Sequence, residues 1–175
     1  MRVSPNAWLP LSRGNSVAGF KFSTLKSLWR FPEALVRYLI VLLALSGVIV
    51  SGLALRVHYV VEDQPCHLND KWDCGVVNHS PYSEMGGVPV AGIGVAGYLL
   101  IGVLGFLRRR GVLLAAVAGG FAFALYLTHI EAHVLGVWCL YCVISQGIIA
   151  LLLLLAIAWF LWGRRRRAVS GETVV

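Results

Sequence analysis

Apolar residues along this chain fall in long unbroken runs. They do not form the period-3.6 or period-2 faces with which a soluble domain builds its core. Four runs stand out, at about residues 38–61, 88–107, 112–130 and 136–162. A membrane-crossing helix needs ~20 mainly apolar residues. The pattern therefore predicts an all-α integral membrane protein, a four-transmembrane-helix bundle spanning residues 37–163.

The runs differ in detail. The first carries no charge from Tyr38 to Leu55, but Arg56 and His58 enter before it ends at Val61. That helix is expected to project beyond the bilayer. The second opens on Val88-Pro89, and proline is well tolerated in a first helical turn. Gly92, Gly94, Gly97 and Gly102 recur along it. Small residues let membrane helices approach closely, so this span belongs inside the bundle. Arg108-Arg109-Arg110 ends it, with a tight turn expected at Gly111. The fourth run begins near Gly136 and is expected to stop at Arg164–Arg167.

The segments between the runs are polar. Residues 1–36 hold Arg2, Arg13, Lys21, Lys26 and Arg30, five serines, and no acid before Glu33. This make-up resembles an organelle transit peptide. The favoured reading is a cytoplasmic tail with a short interfacial helix near Phe22–Trp29, and no cleaved secretory signal is expected. Residues 62–87 carry Glu62, Asp63, Asp70, Asp73 and Glu84, with Pro65, Pro81 and Gly86-Gly87 as breakers. At about 26 residues this loop is too short for a domain and must fold against the spans. Residues 164–175 form a basic tail.

Composition sharpens the class. Of 175 residues, 58% are hydrophobic and 13% charged, and the mean hydropathy is +0.77. A soluble domain carries about 25% charged residues. The net charge of +7 comes from residues flanking the apolar runs, which favours topology signals over nucleic-acid binding. The N-terminal tail, the Arg108–Arg110 turn and the Arg164–Arg167 run are basic, while the other two connections are acidic or nearly neutral. Four spans put the basic segments on one side, and the positive-inside rule makes that side cytoplasmic. Both termini are then cytoplasmic, and all four cysteines face outward.

Those cysteines are the candidate chemistry. Cys139 and Cys142 form a C-x-x-C pair at the head of the fourth run, while Cys66 and Cys74 lie in the 62–87 loop. Outside a bacterial inner membrane thiols meet an oxidising compartment. Four cysteines allow three pairings, of which the local one joins Cys66 to Cys74 and Cys139 to Cys142. A C-x-x-C bridge closes so small a loop that it adds little stability, so its value is redox. At a helix N-terminus, unpaired N–H groups and the helix dipole favour a thiolate. Trp138 and Tyr141 can pack beside a planar ring such as a quinone, or serve only as an interfacial aromatic belt. Cys66 and Cys74, expected to be mobile and exposed to water, suit a shuttle. A static disulfide pinning the loop is the alternative. His67, His79, His129 and His133 share the outer side, but the cysteines lack a second tight ligand pair, and no metal is expected.

At these residues the sequence resembles the vitamin K epoxide reductase family in its bacterial form. Cys66 and Cys74, with seven residues between them, are followed by Ser80 six positions later. Gly87-Val88-Pro89 opens the second helix, with Gly94 and Tyr98 beyond, and Trp138-Cys139-Leu140-Tyr141-Cys142 heads the fourth. The resemblance covers about residues 38–162. It implies a bundle around a quinone pocket and electron transfer from thiols to that quinone. Cys139 and Cys142 would be the active-site pair, with Cys142 facing the quinone. Cys66 would exchange with an external partner and Cys74 would pass electrons to Cys139. Ser80 would assist by hydrogen bonding near the quinone or the reactive thiol. Trp138, Tyr141, Gln146 and Tyr98 are the candidate quinone-lining residues.

Two departures refine the expectation. Many bacterial members carry a fused thioredoxin-like domain after the bundle. Here the expected partner is a separate periplasmic thioredoxin-like (DsbA-like) protein. Where animal members have a tyrosine, four residues after the last active-site cysteine, this chain has Gln146. Ubiquinone or menaquinone is thus a better substrate guess than vitamin K epoxide. A DsbB-type quinone reductase has its C-x-x-C before the other pair, the reverse of this order. The rival of another class is a non-enzymatic membrane scaffold or metal binder with structural disulfides.

Overall fold

The computed structural model describes residues 30–60, 66, 69 and 71–171, with side chains from 33 to 164. The expectations for the N-terminal tail, the Phe22–Trp29 helix included, lie outside these residues. The bundle lies in the unit Glu33–Val175.

Four long helices dominate, and short elements fill the loop between the first two. Helix α1 is Arg30–Tyr59, α2 the short Cys74–Asn78, α3 Val90–Phe106, α4 Arg110–Ile130 and α5 Leu140–Gly171. Three stretches, Glu33–Tyr59, Arg110–Leu135 and Leu140–Arg164, are long and apolar enough to cross a membrane, and Val90–Phe106 is a shorter apolar helix. The protein is thus a helical membrane protein. At 17 residues, α3 is about 25 Å long.

Helix α3 is shorter than its apolar run because Val88 and Pro89 are not helical. They form strand β2, paired antiparallel with β1 (Glu84–Met85), with Glu84 opposite Pro89 and Met85 opposite Val88. The two-residue turn between them has Gly86 at φ 61° and Gly87 at φ 81°. A type I′ hairpin turn requires positive φ at both positions, and glycine supplies it without a steric penalty. Pro89 is therefore the cap of α3, at ψ 130°, and not part of its first turn.

Other boundaries also move. The turn between α3 and α4 bends at Arg108, whose φ is 57°, while Gly111 already lies inside α4. At its far end α4 runs on through a π-helical turn, Glu131–Leu135, which stops at left-handed Gly136 (φ 66°). Helix α5 starts only at Leu140 and continues past Arg164–Arg167 to Gly171. Arginine ends an apolar run, but it is a good helix former, so the charges do not end the helix.

Helices α1 and α3 meet antiparallel along the predicted glycine stripe. A side chain at Gly94 would come within 2.9 Å of the Ser51 hydroxyl, and one at Gly105 within 3.0 Å of Ile40. Gly102 lies over Ala44. The reciprocal gap is Gly47 on α1, against which the Tyr98 ring is seated. In lipid such packing replaces the hydrophobic effect as the force that joins helices. Ile40, Ala44, Leu113, Val117, Leu152, Ala156 and Trp159 form the buried core away from the cysteines. At that end Arg110 pairs with Glu33 and lies 5.1 Å over the Trp159 ring.

Candidate functional site

The 62–87 loop is fastened to the mouth of α5 by its backbone. Trp138 N–H donates to the Lys71 carbonyl (2.8 Å) and Asp73 N–H to the Trp138 carbonyl (3.1 Å), a parallel bridge between Trp72 and Trp138. The two indole rings lie against each other, 6.5 Å between centroids. Asp73 then caps α2, its carboxylate accepting from Gly75 N–H (2.8 Å) and Val76 N–H (3.1 Å). An Asp N-cap of this kind fixes where the helix starts, so Cys74 becomes its first residue. From the other side, α1 reaches the loop through His58. Its Nδ1 is 2.6 Å from the Asn78 carbonyl, and its Nε2 is 3.4 Å from Glu84.

This folding buries the loop cysteines. Cys66 and Cys74 are joined in a disulfide with a Cα separation of 5.7 Å, and both are almost wholly buried. The expectation of a water-exposed pair is overturned, because the loop lies down on the bundle. Cys66, Cys74 and Cys139 share one buried cluster with Val57 and Val77, against which Tyr141 and Cys142 pack.

Cys139 and Cys142 are free thiols. Cys139 sits just outside α5, and its carbonyl accepts the first helical hydrogen bond, from Val143 N–H (3.0 Å). Cys142 lies in the first turn. The Cys142 thiol donates to the Cys139 sulfur and holds the Cys139 thiol below the ordinary thiol range, against the opposing effects of burial and of the Glu131 carboxylate nearby. A thiol held this way is the better thiolate nucleophile.

A cavity of about 230 Å³ opens beside Cys142, bounded by α1, α3, α4, α5 and the loop. Of the residues read from the sequence, Ser80, Tyr98, Tyr141, Cys142 and Gln146 line it. Trp138 is not among the lining residues, since its backbone and ring are engaged with Trp72. The Tyr98 hydroxyl donates to the Ser145 carbonyl (2.9 Å), tying α3 to α5. Ser80 donates to the Val77 carbonyl (2.8 Å). The side-chain oxygen of Gln146 is buried and has no hydrogen-bond partner among the described residues. Such an orphaned group costs free energy unless something polar enters the cavity to meet it.

Two residues at this site escaped the sequence reading. Asn78 is buried, and its Nδ2 donates to the Cys74 carbonyl (2.8 Å) and lies 3.7 Å from the Cys139 sulfur. It thus spans the two cysteine pairs. Glu131, in the π-helical turn, is also buried, and its Oε2 accepts the Cys139 N–H at 3.2 Å. The only signal in the sequence was a lone acid in an otherwise apolar stretch. Among the described residues, no group of three or more His, Cys, Asp and Glu gathers where a metal ion could be held.

No curated protein sequence matches the chain closely enough to count as a relative. The defining pattern of the vitamin K epoxide reductase family, by contrast, matches residues 38–157. Proteins of that family are membrane oxidoreductases linking thiols to quinones. The matched stretch takes in the cavity, both cysteine pairs and most of all four long helices, and the chain belongs to that family.

Proposed function

We propose that the protein is a thiol:quinone oxidoreductase of the bacterial inner membrane, which reoxidises a separate periplasmic thioredoxin-like (DsbA-like) protein and so supports disulfide formation. The observation that carries this reading is the continuity of the site. A closed disulfide, Cys66–Cys74, packs against Cys139, and Cys142 follows in the wall of the cavity. The three basic segments give the orientation, with four spans, both termini cytoplasmic and the cysteines outside.

Electrons would move inward along this line. A partner thiolate attacks Cys66, and the second partner thiol displaces it, leaving the partner oxidised and Cys66 and Cys74 reduced. Cys74 thiolate attacks Cys139 in the Cys139–Cys142 disulfide and releases Cys142. Cys66 then closes on Cys74 and frees Cys139. The active-site dithiol finally gives two electrons and two protons to the quinone and regains its S–S bond. Direction follows the reduction potentials, ~30 mV per 1.4 kcal/mol for a two-electron couple. Asn78, hydrogen-bonded on both sides of the junction, would hold Cys139 toward Cys74.

The cavity suits a quinone ring. Most of its wall is apolar, with Val50, Ile93, Phe123, Leu127 and Ile149 against the polar edge of Ser80, Ser145 and Gln146. Drug-sized ligands occupy about 300–1,000 Å³, so this volume takes a head group and leaves an isoprenoid tail in the bilayer. The unpartnered Gln146 side-chain oxygen would accept a hydroxyl of the quinol, and Tyr98 and Tyr141 would flank the ring.

The test is direct. Purified protein is mixed with a reduced DsbA-like protein and a short-tailed ubiquinone or menaquinone analogue, and quinol formation is followed by absorbance. Catalytic turnover that depends on both additions is expected. In the Cys66→Ser variant, a Cys74–Cys139 bridge should accumulate and be found by mass spectrometry. Cysteines that fail to exchange with any reduced partner, together with no quinol, would establish a scaffold with structural disulfides instead.

A further inference from the structure

The proposed reaction moves protons as well as electrons. Converting a quinone to a quinol adds two protons, and a dithiol gives up two on its way to the disulfide. These transfers must take place in a cavity walled largely by apolar side chains. Among the described residues the lining contains no Asp, Lys, Arg or His. Glu131 is the only carboxyl group among them, and Cys142, Tyr82, Tyr98 and Tyr141 are the other titratable members.

The geometry of Glu131 is specific. It is only 3% exposed, and no described Lys or Arg pairs with it. One carboxylate oxygen accepts the backbone N–H of Cys139 at 3.2 Å, and the residue lines the cavity together with Cys142. It thus holds the cysteine pair by its backbone and borders the space where the quinone would sit. It stands in the π-helical turn at the end of α4. Turns of that kind are rare in helices and frequent at functional sites. A purely structural carboxylate capping α5 would need only the Cys139 N–H. Its place in the cavity wall with Cys142 has no use in a cap.

Resting on the thiol:quinone reading above, we propose that Glu131 is the proton carrier of the quinone step, taking the proton of the Cys142 thiol and delivering it to the quinone oxygen. The Cys142 S–H bond breaks to the Glu131 carboxylate, and the Cys142 sulfur becomes a thiolate. Glu131 passes that proton to one quinone oxygen and returns to carboxylate. Cys139, already a thiolate, carries no proton, so the second proton is drawn from water and reaches the second oxygen through Glu131. Both sulfurs lose one electron each to the quinone and join, and Glu131 ends as it began. Tyr98 is committed to Ser145, which leaves Glu131 as the acid-base group of the cavity wall that is hydrogen-bonded to the cysteine pair.

The experiment compares the full-length wild type with Glu131→Gln and Glu131→Asp in detergent, measuring two steps separately. One is reduction of the Cys66–Cys74 disulfide by a reduced DsbA-like protein without quinone. The other is single-turnover oxidation of the reduced enzyme by a short-tailed ubiquinone analogue. Gln keeps an acceptor for the Cys139 N–H but carries no proton at neutral pH. General acid-base catalysis contributes typically 10²–10⁴-fold, so Glu131→Gln should slow the quinone step about 10²-fold or more and flatten its pH profile. The shuttle step should stay within about twofold of wild type. Glu131→Asp, with the carboxylate drawn back by one methylene, should keep the sloping pH profile at a reduced rate. This second variant carries the test should the first not fold. A wild-type rate and pH profile in Glu131→Gln, or equal losses in both steps for either variant, overturns the proposal. Absence of quinone reduction by the wild type would instead overturn the parent reading, so the two failures are distinct.

Discussion

The two ends of the bundle are built for opposite purposes. At the arginine end, side chains fill the space between the helices. Leu113, Val117 and Leu152 are fully buried, Trp159 almost so, and the Arg110–Glu33 pair closes that end. At the cysteine end the same helices part around a cavity, beside which lie a buried and a half-buried free thiol, a buried carboxyl group and an amide oxygen with no partner among the described residues. The first arrangement secures position and the second stores reactivity. A protein interior does not leave space unfilled or polar groups unmet without a loss of stability. The packed end makes that loss tolerable.

The contrast can be broken at either end. The largest effect is expected from Cys142→Ser, which should abolish quinone reduction while leaving the thermal midpoint nearly unchanged. A stable, fully active variant would place the reactive group elsewhere. Leu152→Ala should do the opposite. Deleting a fully buried leucine costs about 2–5 kcal/mol, read as a lower denaturation midpoint, with quinone reduction per folded molecule preserved. A selective loss of activity would mean that the two ends are not separable. The smallest effect concerns the Cys139 thiol alone. Because the Cys142 donor lowers its pKa, Cys139 in the reduced protein stays thiolate at pH values where an ordinary thiol, near ~8.5, is protonated. In Cys142→Ala that donor is gone, so the thiolate absorbance should appear only at higher pH. An unchanged or lower titration point would show that the hydrogen bond is not what holds the thiol down.

The sequence carried the bundle because membrane helices announce themselves by unbroken apolarity. It carried the family too, since four cysteines at two distinctive spacings leave few readings. What it hid depends on contacts far apart in the chain. Nothing local says that Cys66 and Cys74 are covered, because the cover comes from Val57 on α1 and from the Trp72–Trp138 bridge. Asn78 reads as a loop residue until its amide is found beside Cys139, 61 positions away. Glu131 reads as the polar end of a span, yet the π-helical turn directs it inward. Arginine runs mark where apolarity ends, not where the helix does, which is why α5 outlasts its predicted stop.

Very little of the site has to move. Cys139 lies outside α5, in the non-helical stretch 137–139 that comes after left-handed Gly136, while Cys142 belongs to the helix. Helical positions three apart hold their Cβ atoms about 5–6 Å apart, and a disulfide needs about 3.5–4.5 Å. The difference of about 1–2 Å would fall to Cys139, which precedes the helix and accepts its first hydrogen bond. In the proposed relay Cys139 would work as a railway point, set toward Cys74 or toward Cys142. The main line, the turn of α5 bearing Cys142, Ser145 and Gln146, stays where it is. In the proposed cycle the cavity wall would keep its form, and quinone and quinol would meet the same surface.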